Sequence, residues 1–129
     1  MMQYILVGQT PVPEPDLMTW AKALESDRHV AITRVFDVAI VSTVFLGIDH
    51  NFCQLQGREP LLFETMVFWE NEGGYEQDRC STWRQAERMH ARMVREVSRP
   101  QAFCAYLLRQ ARETVSQAWS ELKEAIQRA

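Results

Sequence analysis

Arginine is the residue type that offers this chain its most recognisable chemistry. Twelve of the fourteen Lys and Arg residues are Arg, and a planar guanidinium can pair with phosphate or carboxylate through two parallel hydrogen bonds. The charge is unevenly spread, because residues 1–78 hold four cations and twelve acids (net −8) and residues 79–129 hold ten and five (net +5). Either the two parts neutralise each other, within one chain or between subunits, or the basic part binds an anionic ligand.

Five arginines form a row with helical spacing after a predicted helix start at Ser81 or Thr82, where Thr82 and Gln85 fit a capping box. The row consists of Arg84, Arg88, Arg92, Arg95 and Arg99. Like charges at i,i+4 repel by a few tenths of a kcal/mol per pair, so we expect something acidic to lie over the row. A solvated or salt-bridged face and a polyphosphate or nucleotide site explain the spacing equally well, and a possible second anion site comprises Arg88, Arg92 and Arg95.

Other residues that could do chemistry carry weaker signals. Asp49 and His50 are adjacent and could act as a general base, but no Ser or Cys nucleophile motif accompanies them. A turn-stabilising Asp beside a polar His is the favoured interpretation. Cys53, Cys80 and Cys104 lack metal-ligand spacing, so we predict small buried apolar residues, and neither a metal nor a cofactor.

The length and composition bound the class of protein. A chain of 129 residues can bury one core, so we expect a single domain over residues 1–129. The sequence has neither an apolar run that approaches the roughly 18–20 residues of a membrane span nor the features of an N-terminal signal peptide. We therefore expect a cytoplasmic protein.

The elements that must position these residues begin with a sheet. Segments Val38–Asp49 and Leu61–Trp69 are rich in β-branched and aromatic residues, which favour strands. The segment between them contains Asn, Gly and Pro, so we predict antiparallel neighbours joined by a long loop. The chain is already extended from Val30, Asp37 marks a bulge or tight turn, and a further strand is expected between the glycines at 73–74 and residue 81.

Arg34 interrupts the apolar face of this extended segment. If the alternation from Val30 continues, its side chain points the same way as Phe36 and Val38. A buried guanidinium must be paired. The favoured partner is Glu64, through a salt bridge, and a ligand phosphate is the alternative partner.

In the N-terminal region the sequence predicts one strand and one helix. Gln3–Val7 fits a short strand, and the prolines at 11, 13 and 15 exclude regular structure until a helix begins at Pro15 and ends near Ser26. Apolar residues with i, i+3, i+4, i+7 spacing predict a buried stripe in which Trp20 belongs to the core rather than to a ligand site. The stripe consists of Leu17, Trp20, Ala21 and Leu24.

Two helices end the chain. The first has a buried seam of Trp83, Ala86, His90, Met93 and Val97, and the second runs from about Gln101 to Arg128, roughly 40 Å. The last helix carries a heptad seam rich in alanine, which indicates a two-fold subunit interface. Its members are Cys104, Leu108, Ala111, Val115, Ala118, Leu122 and Ala125, widened by Phe103, Leu107, Trp119 and Ile126.

These elements predict an α+β fold. A small antiparallel sheet with a short N-terminal helix occupies residues 1–80, and a helical hairpin with a long last helix occupies residues 81–129. Arg109 and Arg112 lie near the base of that helix, where the sheet and the preceding helix should meet. With Arg34 they are the best candidates for a phosphate clamp.

Three blocks carry a family resemblance over residues 35–97: VSTVFLGIDHNF, PLLFETMVF and CSTWRQAERMH. In this order and spacing they resemble small proteins of phages and prophages, and the chain is similar to the Thoeris anti-defence sponge family. The resemblance implies a non-enzymatic protein of the host cytoplasm that sequesters the cyclic ADP-ribose signal of a bacterial TIR enzyme. A cyclic oligonucleotide in a separate site of a larger homo-oligomer is also implied.

The resemblance extends to binding residues by type only: an aromatic ring to stack on adenine and arginines to hold phosphates. The candidates are Trp20 and Trp83 for the ring and Arg28, Arg34, Arg109 and Arg112 for the phosphates. Two other classes stay open. The acidic N-terminal region could bind and inhibit a host protein directly, and the arginine row could bind nucleic acid, which the net negative charge disfavours.

Overall fold

A computed structural model describes residues 2–51 and 57–129, apart from the side chains of residues 76 and 77. The fold is α+β, as predicted, with antiparallel sheets, a short N-terminal helix and two C-terminal helices. The strands are β1 (Tyr4–Val7), β2 (Thr10–Pro13), β3 (His29–Val35), β4 (Ala39–Phe45), β5 (Phe63–Trp69) and β6 (Gly74–Cys80), and the helices are α1 (Leu17–Ala23), α2 (Trp83–Val97) and α3 (Pro100–Arg128).

The main sheet has the order β3-β4-β5-β6, with each strand antiparallel to the next. The predicted pairing of the two central strands is confirmed, in a register that runs from Ala39 opposite Trp69 to Phe45 opposite Phe63. Side chains alternate between the two faces of a strand. In β4 and β5 the odd-numbered positions are buried beneath α2.

The predicted turn at Asp37 is confirmed and divides the long extended segment into β3 and β4. Phe36 and Asp37 both have positive φ, 51° and 61°, which suits the twist of a tight hairpin. Arg34 lies on the face of the sheet opposite α2, and 64% of its side chain is exposed. The prediction of a buried Arg34 paired with Glu64 was wrong, because Arg34 binds Asp37 and Glu64 binds Arg79.

The prediction that the early prolines exclude regular structure was also wrong. Pro11 and Pro13 lie in β2, opposite Leu6 and Tyr4 of β1. The N–H of Tyr4 points away from β2 and donates to the Gly47 carbonyl at 2.8 Å. The prolines occupy the same alternate set of positions, where a missing N–H removes no ladder hydrogen bond.

The predicted apolar stripe of α1 is not a buried seam. Leu17 is 58% exposed and Ala21 is exposed, whereas Trp20 and Leu24 are half-buried. Asp16 caps the helix by accepting a hydrogen bond from the Thr19 N–H at 2.8 Å. A seven-residue helix at the edge of the fold is held by a few contacts rather than by a whole face.

α2 crosses all four strands of the main sheet. Its predicted capping box between Thr82 and Gln85 is confirmed. The predicted seam is buried at Ala86, His90, Met93 and Val97, and Met89 joins it.

His90 lies in a chain of hydroxyl groups between α2 and the sheet. Its Nε2 is 2.8 Å from the Thr33 hydroxyl, and its Nδ1 is 2.8 Å from the Thr43 hydroxyl. Thr43 in turn lies 2.6 Å from Thr65 on the neighbouring strand. Burial lowers the pKa of His90, so the neutral imidazole is favoured in the folded protein.

α3 contacts the rest of the chain only through its first turns, as far as the described residues show. Ala102, Phe103 and Tyr106 join a core cluster with the end of α2, and Tyr106 stacks on Trp69 with a centroid separation of 5.0 Å. Residues 111–129 are exposed throughout. Across residues 2–51 and 57–129, no helix has the length and apolar character needed to cross a membrane.

Candidate anion-binding site

Two arginines present their side chains to a concave surface between β6 and the adjacent flank of α2, which we call the arginine cleft. Arg88 and Arg92 lie one turn apart on α2. Arg79, at the end of β6, is among the lining residues, but its side chain pairs with Glu64 on the face of the sheet opposite α2. The cleft has a volume of about 400 Å³. Its lining residues are Leu61, Asp78, Arg79, Cys80, Ser81, Gln85, Arg88, Met89 and Arg92.

Carboxylates of the sheet orient the guanidinium groups of Arg79 and Arg92, on opposite faces of the sheet. Arg79 Nε donates to Glu64 Oε2 at 2.8 Å, and the two side chains are only 23% and 12% exposed. Arg92 donates through a terminal nitrogen to Asp78. Because a guanidinium has five N–H groups, the contact to Asp78 occupies only part of the Arg92 fork.

Arg88 is the least engaged arginine of the cleft. Within the described part of the chain, no carboxylate lies at ion-pair distance from it. Among the described residues, the acid that we expected over the arginine row is therefore present at Arg92, as Asp78, but not at Arg88. The described charged groups that face the cleft are Arg88, Arg92 and Asp78, an excess of one positive charge, which favours an anionic occupant.

The local structure of α2 fixes where these arginines point. Gln85 Oε1 accepts hydrogen bonds from the N–H groups of Ser81 and Thr82, both at 3.1 Å. This cap fixes the first turn of the helix beside the end of β6. The positive end of the α2 dipole borders the cleft and adds to its positive potential.

Cys80 borders the same cleft but is not set up as a nucleophile. Burial raises the pKa of its thiol to about 11, so at neutral pH the group stays protonated, whereas the thiolate is the reactive form. Its Sγ lies 3.7 Å from the carbonyl oxygen of Thr82.

A second cleft, on the other flank of the first turn of α2, brings together two predicted ligand residues, Arg28 and Trp83. Its volume is about 240 Å³, less than the roughly 300 Å³ at which small-molecule pockets usually begin. The Trp83 ring packs edge-on against Phe63, and its indole N–H donates to Glu87 at 3.1 Å.

Trp20, the other predicted stacking residue, has a structural contact. Its indole N–H donates to the Gly47 carbonyl at 2.9 Å. Gly47 has a φ of +76°, and a Cβ at this position would lie 2.6 Å from Leu24 and 3.3 Å from Trp20. Trp20 therefore fastens α1 to the end of β4.

Two of the three arginines of the predicted phosphate clamp have carboxylate partners. Arg34 pairs with Asp37 at 2.9 Å. Arg109 donates two hydrogen bonds to Glu72, of 2.8 and 3.2 Å, and its guanidinium carbon lies 5.6 Å from the Trp69 ring centroid. The hydrogen bond to Glu72 raises the pKa of Arg109. Arg112 is exposed beside an apolar groove on α3.

The remaining predicted residues are distributed as follows. Asp49 Oδ1 accepts from the N–H groups of Asn51 and Leu61 at 2.8 and 2.9 Å, which is the turn-stabilising arrangement. The prediction of buried cysteines was wrong for Cys104, which is exposed, and Cys53 lies outside the described residues. Arg95 is exposed on α2 and is not part of the cleft lining.

The sequence interpretation missed Arg79, which binds Glu64 in place of the predicted Arg34. The signal lay in the register: a tight turn after β5 brings Arg79 opposite Glu64 in the adjacent strand. Among the described residues, no cluster of three or more His, Cys, Asp and Glu could hold a metal ion.

Comparison with protein-family models, with curated proteins and with solved structures found no match to this chain. The similarity to the Thoeris anti-defence sponge family thus stays a prediction.

Proposed function

We propose that this protein binds a small phosphate-bearing nucleotide of the cyclic ADP-ribose type in the arginine cleft and sequesters it without cleaving it. The observation that carries the proposal is the position of Arg88 and Arg92, one helical turn apart on one concave surface. A phosphate is the ligand group that matches several guanidinium forks at once.

The dimensions and lining of the cleft agree with such a ligand. About 400 Å³ lies within the usual range for small-molecule pockets. Leu61 and Met89 supply apolar surface, and a guanidinium plane can stack on a base. Because Asp78 already orients Arg92, less side-chain entropy is lost when an anion binds.

The state of the reactive groups near the cleft supports ligand binding without a chemical reaction. The Cys80 thiol is kept protonated by its raised pKa of about 11. The imidazole of His90 is 6% exposed and has both nitrogens engaged by threonines beneath the helix. In the setting that the resemblance implies, a phage protein in the host cytoplasm would withhold a TIR-derived signal from its effector.

We also propose that the protein self-associates through α3. Its outer surface exposes large apolar side chains over about five turns, and isolated surface patches of this extent usually mark an interface. The members are Leu107, Leu108, Val115, Trp119, Leu122 and Ile126, all between 48% and 68% exposed.

The ligand proposal is tested by calorimetry with purified cyclic ADP-ribose isomers and, separately, a cyclic dinucleotide. Arg88→Gln should lower affinity about 10- to 100-fold, the effect of losing a charge-assisted contact to phosphate. Arg84→Gln is the matched control, because it removes the same charge from the same helix outside the cleft. Bound ligand released by denaturation should be chemically intact.

Three outcomes would contradict the proposal. A cleaved product on release would indicate an enzyme. Equal losses in the Arg84 and Arg88 variants would indicate a general charge effect rather than this cleft. The absence of binding to either probe, together with capture of one host protein, would favour direct inhibition of that protein.

A further inference from the structure

The two faces of α3 differ in whether the rest of the chain covers them. The face that bears Ala102 and Tyr106 packs on the core, and Arg109 fastens it to Glu72. Because successive residues turn by about 100°, Leu108 projects roughly 200° away from Tyr106. The outward face, the α3 stripe, consists of Leu108, Ala111, Val115, Ala118, Trp119, Leu122 and Ile126, and its groove is lined by Leu108, Ala111, Arg112, Val115, Ser116 and Trp119.

The α3 stripe is nearly symmetrical about Val115. Leucines lie seven residues before and after it, at 108 and 122. An alanine lies four residues before it and another three residues after it, at 111 and 118. On the other flank, Arg112 lies three residues before Val115 and Trp119 four residues after it. A stripe that reads alike in both directions can be matched by the same stripe running the opposite way.

We propose that two copies pair through the α3 stripe as antiparallel helices, with Val115 at the two-fold axis. In this register Leu108 meets the partner's Leu122, and Ala111 meets the partner's Ala118, where small side chains let the helices approach closely. Arg112 meets the partner's Trp119, a cation–π pair. The inference rests on the proposed self-association through α3 and not on ligand binding.

Area and charge both favour a second copy as the occupant. Large side chains bury on the order of 100–200 Å² each, so two stripes would bury about 1,200 Å² in total, at the lower end of specific interfaces. Residues 111–129 contain three cations and three anions. A neutral apolar surface suits a copy of itself better than a strongly charged partner.

The antiparallel direction follows from where the charge lies. Residues 1–78 have a net charge of −8, and a parallel pair would place both acidic regions at the same end of the helices. An antiparallel pair separates them by the length of the stripe, roughly 27 Å for eighteen residues. That distance exceeds the screening length of about 8 Å at physiological ionic strength. The two helix dipoles are then also opposed.

Sedimentation equilibrium without ligand tests the association. The wild type should be a concentration-dependent dimer, and Leu122→Glu should be monomeric because it places a charge inside the interface. Ser120→Glu, which adds the same charge to an exposed position away from the stripe, should leave the dimer unchanged. A wild type that is monomeric at all concentrations overturns the whole inference, while intact ligand binding in that sample would leave the sponge proposal standing.

Disulfide cross-linking in a background lacking the native cysteines tests the direction. Leu108→Cys mixed with Leu122→Cys should give a cross-linked heterodimer, and neither variant alone should cross-link efficiently. Cross-linking of each variant with itself would establish a parallel pair and overturn the antiparallel register. Cross-linking in neither sample, from a protein that is dimeric, would place the interface away from the stripe and overturn the inference.

Discussion

The two C-terminal helices differ in how much of each its own chain covers. α2 buries five of its fifteen residues beneath the four-stranded sheet, whereas α3 buries only Tyr106 of its twenty-nine, as the described residues show. One face of a small sheet accommodates one crossing helix, and α2 occupies that face. It follows that the apolar surface of α2 is covered within one chain, while most of that of α3 stays exposed among the described residues.

The charged groups differ in the same way. The flank of α2 beside β6 presents arginines to the arginine cleft, close to the rigid core. The distal half of α3 presents an apolar stripe flanked by balanced charges, remote from that cleft. This contrast supports the two proposals, ligand binding on the α2 side of the molecule and self-association through α3.

The largest expected effect comes from truncating one apolar side chain on each of the two helices. Met93→Ala in α2, where the side chain is 6% exposed, should lower the free energy of unfolding by about 2–5 kcal/mol because it leaves a cavity. Leu122→Ala in α3, where the side chain is 48% exposed, should change it by no more than about 0.5 kcal/mol in the monomer. Urea denaturation at low protein concentration measures both.

Varying the protein concentration provides the control for Met93→Ala and Leu122→Ala. The effect of Leu122→Ala should grow as the protein concentration rises, since dimerisation stabilises the wild type by mass action. The effect of Met93→Ala should stay constant. A large loss from Leu122→Ala in dilute monomer would mean that α3 is covered by its own chain, contrary to the structure.

A second, smaller effect is expected where α3 is fastened to the domain. Glu72 is only 8% exposed and accepts two hydrogen bonds from Arg109. Glu72→Gln should lower the free energy of unfolding by about 1–2 kcal/mol, because a largely buried charge-assisted pair is lost. Glu124→Gln breaks the exposed pair with Arg128 and should have almost no effect.

Hydrogen exchange distinguishes a local from a global consequence of this change. Protection should decrease around residues 106–110 in Glu72→Gln, while the amides of α2 keep theirs. Equal losses of protection in both helices would show that α3 is integral to the core and would remove the contrast between them.

The sequence predicted well those features that depend on local periodicity. The alternation in β4 and β5, the capping box at Thr82 and four of the five predicted seam positions of α2 follow from spacing alone and are confirmed, whereas Trp83 is only half-buried. The arginine row was visible for the same reason. Such patterns depend on the sequence of one helix or strand alone. They can be recognised without knowing which elements pack against it.

The errors arose where a neighbour decides the outcome. Arg34 was assigned to the wrong face because the tight turn at Phe36 and Asp37 ends the alternation. Pro11 and Pro13 lie in strand β2 because the facing residues of β1 need no N–H donor at these positions. Arg79 pairs with Glu64 through the register of β6, which the sequence does not specify by itself.

The smallest expected effect concerns how α2 is held to the sheet by directional hydrogen bonds. Burial lowers the pKa of His90, so the unfolded chain binds a proton more readily than the folded one. Stability is therefore complete above the ordinary histidine pKa of 6.5 and is lost as the pH falls below it. If His90 stays neutral in the fold, lowering the pH from 7 to 6 should remove about 0.7 kcal/mol.

His90→Gln should flatten this pH dependence, because glutamine does not titrate yet can still reach the threonine hydroxyls. His29→Gln, which changes a side chain that is 42% exposed, should leave the slope specific to His90 in place. Thermal denaturation at pH 6 and 7 provides the measurement. An unchanged slope in His90→Gln would mean that α2 is held by packing alone, and its contrast with α3 would then rest on apolar burial without a polar contribution.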